Sequence, residues 1–96
     1  MTSPAADDLA RAFEAERPRL LRLAYTTTGS WSDAEDCVQV AWLRVRAQAA
    51  GSIRNLAAWL TTTVGRLALD VLGSARARRE RSGGAWLPAP GGPAPG

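Results

Sequence analysis

The sequence predicts an all-α protein, a small bundle of three to four helices followed by a flexible tail. Apolar residues recur every three or four positions in three stretches, which is the spacing of one face of an α-helix. No segment shows the apolar/polar alternation of a half-buried strand. The final stretch, GGAWLPAPGGPAPG, is too rich in proline and glycine to build a core. We therefore expect a helical domain over residues 1–81 and a flexible linker over residues 82–96.

The first helix is expected from about Asp8 to Thr27. Pro18 lies inside it, so either the helix bends there or a new helix begins near Arg17. Three consecutive threonines weaken its end, and Gly29 is a suitable stop. Its predicted core stripe consists of Leu9, Phe13, Leu20, Leu23 and Ala24.

The second helix is expected to begin at Asp33, because Ser32 and Glu35 form an S-x-x-E capping box. It should end near Ala50, before Gly51. At 100° per residue, one face is an ordinary core stripe. That stripe consists of Ala34, Val38, Ala41, Trp42, Val45 and Ala49.

The third helix is expected to open at Asn55, a good N-cap residue, and to continue to about Arg79. Gly65 and Gly73 each lower its stability by roughly 1 kcal/mol relative to alanine. Its apolar positions recur every three or four residues. The predicted core stripe consists of Leu56, Leu60, Val64, Leu67 and Val71.

Charge is distributed unevenly along the chain, although the net charge of +3 is modest. Residues 7–36 hold seven of the nine acids, whereas residues 44–81 hold eight of the twelve arginines. Such a division suits a protein partner on one side and a polyanion on the other. The alternative is that these charged side chains are simply solvated and that the uneven charge distribution binds no partner.

A lone cysteine, Cys37, excludes an internal disulfide and a Cys/His metal site, and favours a reducing compartment. Its place at the edge of the core stripe indicates a small buried side chain. No run has the length of a membrane span, and the N-terminus lacks the features of a signal peptide. We therefore expect a soluble cytoplasmic protein. Without histidine, the chain has no evident general base at neutral pH, so we expect a protein that is not an enzyme and needs no cofactor.

The face of the second helix opposite its core stripe is unusual, because it carries Val40 and Leu43 beside Asp36 and Gln39. A helix that is apolar on both sides often has a partner on the outer one. The alternative is that these are scattered apolar residues on an ordinary surface.

The third helix also has a distinct outer stripe, which comprises Trp59, Thr62, Arg66, Asp70 and Gly73. An aromatic ring, a hydroxyl and a guanidinium on one face can stack on an unpaired base and bind its edge or phosphate. Two structural alternatives remain open: Trp59 packs against a neighbouring helix, and Arg66 and Asp70 form a surface ion pair.

Four segments in the same order resemble one family. The pattern DAED-x-x-Q-x-A-W-L-R at residues 33–44 resembles the helix by which bacterial extracytoplasmic-function (ECF) sigma factors grip the β′ clamp helices of RNA polymerase. Residues 13–30 resemble the first conserved segment of sigma region two, and residues 57–80 resemble its promoter-melting and −10-reading helix. GAWLPAP at 84–90 is similar to the segment after region two in the ECF subgroup with a SnoaL-like C-terminal domain. The resemblance spans residues 9–90.

The resemblance implies a transcription-initiation module whose partners are core RNA polymerase, through its β′ subunit, and the single-stranded −10 region of promoter DNA. An anti-sigma factor is a further candidate partner. The implied polymerase-binding residues are Asp33, Glu35, Asp36, Gln39, Val40 and Leu43. The loop 49–54 would accept a flipped −10 base. The implied DNA-binding residues are Arg54, Asn55, Trp59, Thr62, Arg66, Arg76, Arg78 and Arg79, the last three contacting phosphates.

Several departures from the family pattern bear on function. Val40 replaces a glutamate common in the clamp-binding helix, three threonines precede Gly29 where basic and long apolar residues are usual, and Gly73 replaces an arginine. Region four, which reads the −35 element, is not represented, so we expect either a fragment or a product that has lost its downstream domains. The rival hypothesis is a degenerate module that docks on polymerase or an anti-sigma factor without opening DNA. A generic helix-turn-helix DNA binder is a third, weaker hypothesis.

Overall fold

A computed structural model of the chain describes residues 4–86, with side chains over residues 6–81. It consists of three helices, α1 (Pro4–Thr28), α2 (Trp31–Ala47) and α3 (Leu56–Trp86), and residues 4–86 contain no strand. The predicted all-α class is confirmed. None of the helices in this part of the chain is long and apolar enough to span a membrane.

The three helices meet in one core, to which each contributes a single stripe. Most of the predicted core positions are buried or packed against the core, and Cys37 is buried as expected. Ala49 was wrongly placed in the α2 stripe: it is exposed, because the helix ends before it. The buried side chains are Phe13, Leu20, Ala24, Ala34, Cys37, Val38, Ala41, Val45, Leu60, Val64 and Ala68.

Helix α1 is continuous through Pro18, so no new helix begins near Arg17. Gly29 ends it as predicted: its φ is 74°, and its N–H donates to the carbonyl of Tyr25 at 2.7 Å. The Thr28 hydroxyl accepts a hydrogen bond from the N–H of Ser30 at 3.2 Å. These contacts make a tight elbow, so α2 folds back antiparallel to α1.

The predicted start of α2 is wrong, because the N-cap is Ser30 and not Ser32. Ser30 has an extended backbone, and its hydroxyl accepts from the N–H of Asp33 at 3.2 Å. The tight elbow leaves Ser30 as the one residue between Gly29 and the helix, so Ser32 already lies within the first turn. The Ser32–Glu35 capping box therefore does not form.

The end of α2 also differs from the prediction. The helix stops at Ala47 with Gln48 as its C-cap, and the N–H of Gln48 donates to the carbonyl of Val45 at 3.1 Å. Gly51, with φ of 78°, lies in a separate turn farther on. Gln48 ends the helix by turning to an extended conformation, so glycine is not needed at that point.

Asn55 caps α3 as predicted, since its side-chain oxygen accepts from the N–H of Ala58 at 3.0 Å. The predicted end near Arg79 is wrong: α3 continues to Trp86. The arginine- and alanine-rich segment after Ser74 favours helix strongly enough to carry it onward. Residues 82–86 therefore belong to α3 and not to the expected linker, and residues 87–96 lie outside the part that the structure describes.

Arg19 joins α1 to the beginning of α3. Its guanidinium donates to the Thr61 hydroxyl at 2.8 Å and to the Ala57 carbonyl at 3.3 Å. Glu16 accepts from the same guanidinium at 2.7 Å and 2.9 Å, which holds it in place. Arg19 thus makes a polar contact between α1 and α3, two helices that also pack together in the core.

We predict that Arg19→Ala lowers the free energy of unfolding by about 1–2 kcal/mol, because a charge-assisted contact between two helices is lost. Urea denaturation, monitored by circular dichroism, measures this free energy of unfolding. Arg11→Ala is the matched control, since Arg11 pairs with Asp8 entirely on the exposed surface of α1. Its effect should stay within about 0.5 kcal/mol. Equal effects of the two variants would show that the Arg19 contact does not stabilise the bundle.

Candidate functional site

The outer face of α2 is exposed as predicted. Leu43 is 51% exposed and Val40 is 36% exposed, although both are large apolar residues. Asp36 and Gln39 are also exposed and lie next to them on the same side of the helix. The structure thus places an apolar pair within a polar surface, on the side of α2 turned away from the bundle.

Three carboxylates, those of Asp33, Glu35 and Asp36, lie in the first turns of α2. None forms an ion pair with another side chain of residues 6–81. They lie at the positive end of the helix dipole, where negative side chains stabilise a helix. The docking face, as we call the six residues predicted to bind polymerase, is therefore acidic at one end and apolar at the other; it comprises Asp33, Glu35, Asp36, Gln39, Val40 and Leu43.

The outer stripe of α3 is also exposed at Thr62, Arg66, Asp70 and Gly73. Arg66 and Asp70 do not form the surface ion pair that was the structural alternative for them. The guanidinium of Arg66 is therefore available to bind a phosphate or a base edge.

Trp59 differs from the rest of that stripe. It is half buried and packs against the core, as its structural alternative predicted. Asn55 is likewise engaged, because its side chain caps α3. Of the residues expected to meet DNA near the start of α3, Arg54, Asn55 and Thr62 are exposed, whereas Trp59 is half buried.

The loop between α2 and α3 borders a groove of about 500 Å³ against the beginning of α1. Leu9 and Val45 supply its apolar lining, while Arg46 and Gln48 supply polar atoms. The guanidinium of Arg46 also lies 5.9 Å from the ring centre of Trp42, which in turn packs against Phe13. Arg46 of α2 thus connects the groove to this aromatic pair.

Between Val71 and Arg81, α3 adds no residue to the core, so this part of the helix projects from the bundle. Arg76, Arg78 and Arg79 are exposed there and form no ion pair with a side chain of residues 6–81. Arg78 nevertheless lines a cleft of about 340 Å³ together with Asp33 of α2. The basic end of α3 therefore lies next to the acidic beginning of α2.

Two exposed apolar features were not predicted from the sequence. Tyr25 and Trp31 stack at the α1–α2 elbow, with ring centres 4.2 Å apart and planes 14° apart. Leu69 on α3 is 60% exposed. Helical spacing could have located Leu69, because it lies three residues after Arg66 on the outer side of α3. The aromatic stack depends on the elbow and had no comparable signal.

Cys37 faces the core from the acidic end of α2. Burial raises the pKa of its thiol above the ordinary value, and the carboxylates of Asp33 and Asp36 raise it further. The reactive thiolate is therefore disfavoured at neutral pH. Cys37 acts as a small core residue.

The chain belongs to the sigma-70 region 2 family, whose model matches residues 12–81. The match covers about the last two thirds of α1, all of α2 and most of α3, and so includes both outer faces.

The chain is also similar to two ECF sigma factors from Mycobacterium tuberculosis. The chain is 53% identical to the ECF RNA polymerase sigma factor SigJ over 78 residues, which are 81% of this chain and 25% of SigJ. It is 39% identical to the probable ECF RNA polymerase sigma factor SigI over 75 residues, which are 78% of this chain and 26% of SigI. The chain thus spans about a quarter of the length of these relatives. No solved structure shows a significant match.

We predict that iodoacetamide alkylates Cys37 at least about tenfold more slowly in the folded protein than in urea at pH 8, because the folded thiol is buried and its pKa is raised.

The raised pKa of Cys37 also makes the stability of the domain depend on pH. The stabilising contribution of a raised pKa is present below the unfolded value and is lost as the pH rises through the folded one. The free energy of unfolding should thus fall more between pH 8 and pH 10 in the wild type than in Cys37→Ala. Equal alkylation rates would contradict the burial.

Proposed function

We propose that this domain acts in transcription initiation by holding core RNA polymerase through the docking face of α2 and promoter −10 DNA through the α2–α3 loop and α3. The proposed activity is binding, not enzymatic catalysis, and it would take place in the cytoplasm. One observation supports it above the others: a sigma region 2 fold exposes an unpaired acidic and apolar face on one helix and unpaired arginines on the next.

The composition of the docking face favours a protein partner. Exposed leucine and valine side chains can be buried at the centre of an interface, while the flanking carboxylates select a basic partner. From the family resemblance, we infer that this partner is the clamp helices of the β′ subunit. Val40 stands where many ECF sequences have glutamate, so apolar contact should contribute a larger share of the binding here.

The composition of α3 favours a polyanion. Its described side chains include five arginines against Asp70 and Glu80. Arg66 lies closer to the loop along α3 than the other four arginines do, and a guanidinium can stack on or bind an unpaired base. The three arginines at the projecting end lie farther along the helix, where phosphate contacts would add affinity but no sequence preference.

The alternative function is a module that docks on polymerase or on an anti-sigma factor without opening DNA. The replacement of arginine by Gly73 favours it, because a contact near the basic end is lost. The absence of an ion pair between Arg66 and Asp70 favours the main proposal, because the guanidinium is not neutralised within the domain.

We predict that Leu43→Arg or Asp36→Arg weakens association with core polymerase by at least about 30-fold, the loss of a hot-spot residue, while helical content stays unchanged. Both side chains face away from the core, so folding should tolerate them. Fluorescence anisotropy of the labelled chain titrated with core polymerase measures the affinity.

Ala15→Arg is the control for added charge, since Ala15 is exposed on α1. It should bind polymerase like the wild type. If circular dichroism shows that Leu43→Arg unfolds α2, the assignment of its inner and outer faces is wrong.

We predict that Arg66→Ala reduces open-complex formation without changing polymerase affinity, because a single base stack contributes about 1–3 kcal/mol. Permanganate footprinting of unpaired thymines in a reconstituted complex measures strand opening. Arg11→Ala, which removes an arginine from the far end of α1, should open DNA normally. Normal opening by Arg66→Ala in a complex that still binds polymerase would favour the docking-only alternative.

The combined change of Arg76, Arg78 and Arg79 to alanine should act differently. We predict that it lowers the salt dependence of binding by about one unit of slope for each phosphate contact, for every DNA sequence alike. Titrations of the polymerase complex from 50 to about 200 mM salt measure the slope. An unchanged slope would show that these arginines do not contact DNA phosphates.

A further inference from the structure

An exposed pair of aromatic rings lies at the elbow between α1 and α2, outside the core and outside both candidate surfaces. Tyr25 and Trp31 stack with their ring centres 4.2 Å apart, yet they remain 38% and 54% exposed. Neither ring belongs to the core. Stacking covers one face of each ring, so the other faces and the edges are left for another chain to cover.

The aromatic pair continues along α1 as an apolar strip. Leu21 precedes Tyr25 by four residues and Pro18 precedes it by seven, so all three lie on one side of the helix. Leu21 is half buried, whereas Pro18 is exposed. This part of the helix is about 10 Å long. The elbow strip, as we call Pro18, Leu21, Tyr25 and Trp31, contains no charged side chain.

Trp31 adds a hydrogen-bond donor to the elbow strip. Its indole N–H forms no hydrogen bond with another group of residues 6–81. Proline-rich chains favour the polyproline II helix, which leaves their carbonyl oxygens without an internal partner. Aromatic-lined grooves bind such chains, because the chain is already extended and loses little entropy on binding. The elbow strip therefore suits an uncharged proline-rich segment better than a charged partner.

This chain contains such a segment, LPAPGGPAPG at residues 87–96. The segment holds four prolines and no charged side chain. It follows α3, which passes the beginning of α2 where Ser74 and Asp33 line one cleft, and which then continues to Trp86. Trp86 is thus about 18 Å farther along the helix than Ser74.

The segment is long enough to return to the elbow. In the polyproline II conformation, residues 87–96 would span about 31 Å. The path back along α3 is about 18 Å, and the width of one helix adds about 10 Å. Residues 87–96 can therefore reach the elbow strip of the same molecule.

We propose that residues 87–96 dock on the elbow strip of their own chain. Proline rings pack against Tyr25 and Trp31, and a carbonyl oxygen of the segment accepts a hydrogen bond from the Trp31 indole N–H. Docking fixes the path of a segment whose composition alone predicts a flexible linker. It requires neither polymerase nor DNA, so it stands apart from the proposed function.

The experiment records nuclear Overhauser effects by NMR on the full isotope-labelled chain. Proline protons of residues 87–96 should show contacts to ring protons of Tyr25 or Trp31. Trp31→Ala should lose these contacts, and the proline signals should move to their positions in the free peptide LPAPGGPAPG. Leu69→Ala is the matched control, because Leu69 is 60% exposed but lies on α3. This control should keep every contact.

A second variant leaves the helices unchanged and so tests docking without risk to folding. Pro88, Pro90, Pro93 and Pro95 are all replaced by alanine. The Trp31 indole N–H signal should then shift, because its acceptor is lost, whereas the amide signal of the buried Val38 should stay in place. An indole signal that does not respond would overturn the proposal.

Three further results would also overturn it. The first is a wild-type chain whose proline protons contact neither ring. The second is contacts that persist in Trp31→Ala. The third comes from a mixture of labelled and unlabelled chains: contacts found only between different molecules would show that the elbow strip binds a second copy and not its own chain.

Discussion

The buried stripe of α2 is the constraint on which the remaining structure depends. Ala34, Val38 and Ala41 are completely buried, and their small volumes let α2 approach the other two helices closely. A helix held so tightly along one side cannot rotate without forcing charged groups inward. The exposure of Leu43 and Asp36 follows directly, because they occupy the opposite side. Packing on the inside thus decides which surface is left for a partner.

The two connections position the remaining surfaces. At the elbow, the positive φ of Gly29 and the cap at Ser30 bring the acidic start of α2 next to the later turns of α3. At the other end, the longer loop places Asn55 where it caps α3, and Arg19 binds the Ala57 carbonyl in the first turn of that helix. The bundle therefore carries acids and arginines on separate helices that lie close together, which suits one domain that contacts both a protein and DNA.

Much of the fold was predictable from residue type and spacing. Helical periodicity gave the core stripes of all three helices, and Asn55 and Gly29 were recognisable as a cap and a stop. The start of α2 was not, because Ser30 and Ser32 are equally good caps and only the tight elbow decides between them. The end of α3 was missed because the Gly- and Pro-rich composition of the tail outweighed the helix-forming residues just before it.

For the two candidate surfaces as well, some properties were predictable from the sequence and others were not. The sequence by itself determined which residues are polar, charged or apolar on each outer face, because a helix repeats every 3.6 residues wherever it lies. Only the tertiary structure decided that Trp59 is half buried, that Arg66 is unpaired and that Tyr25 stacks on Trp31. These properties depend on distances between side chains that are brought together by packing. Local periodicity carries no information about such distances.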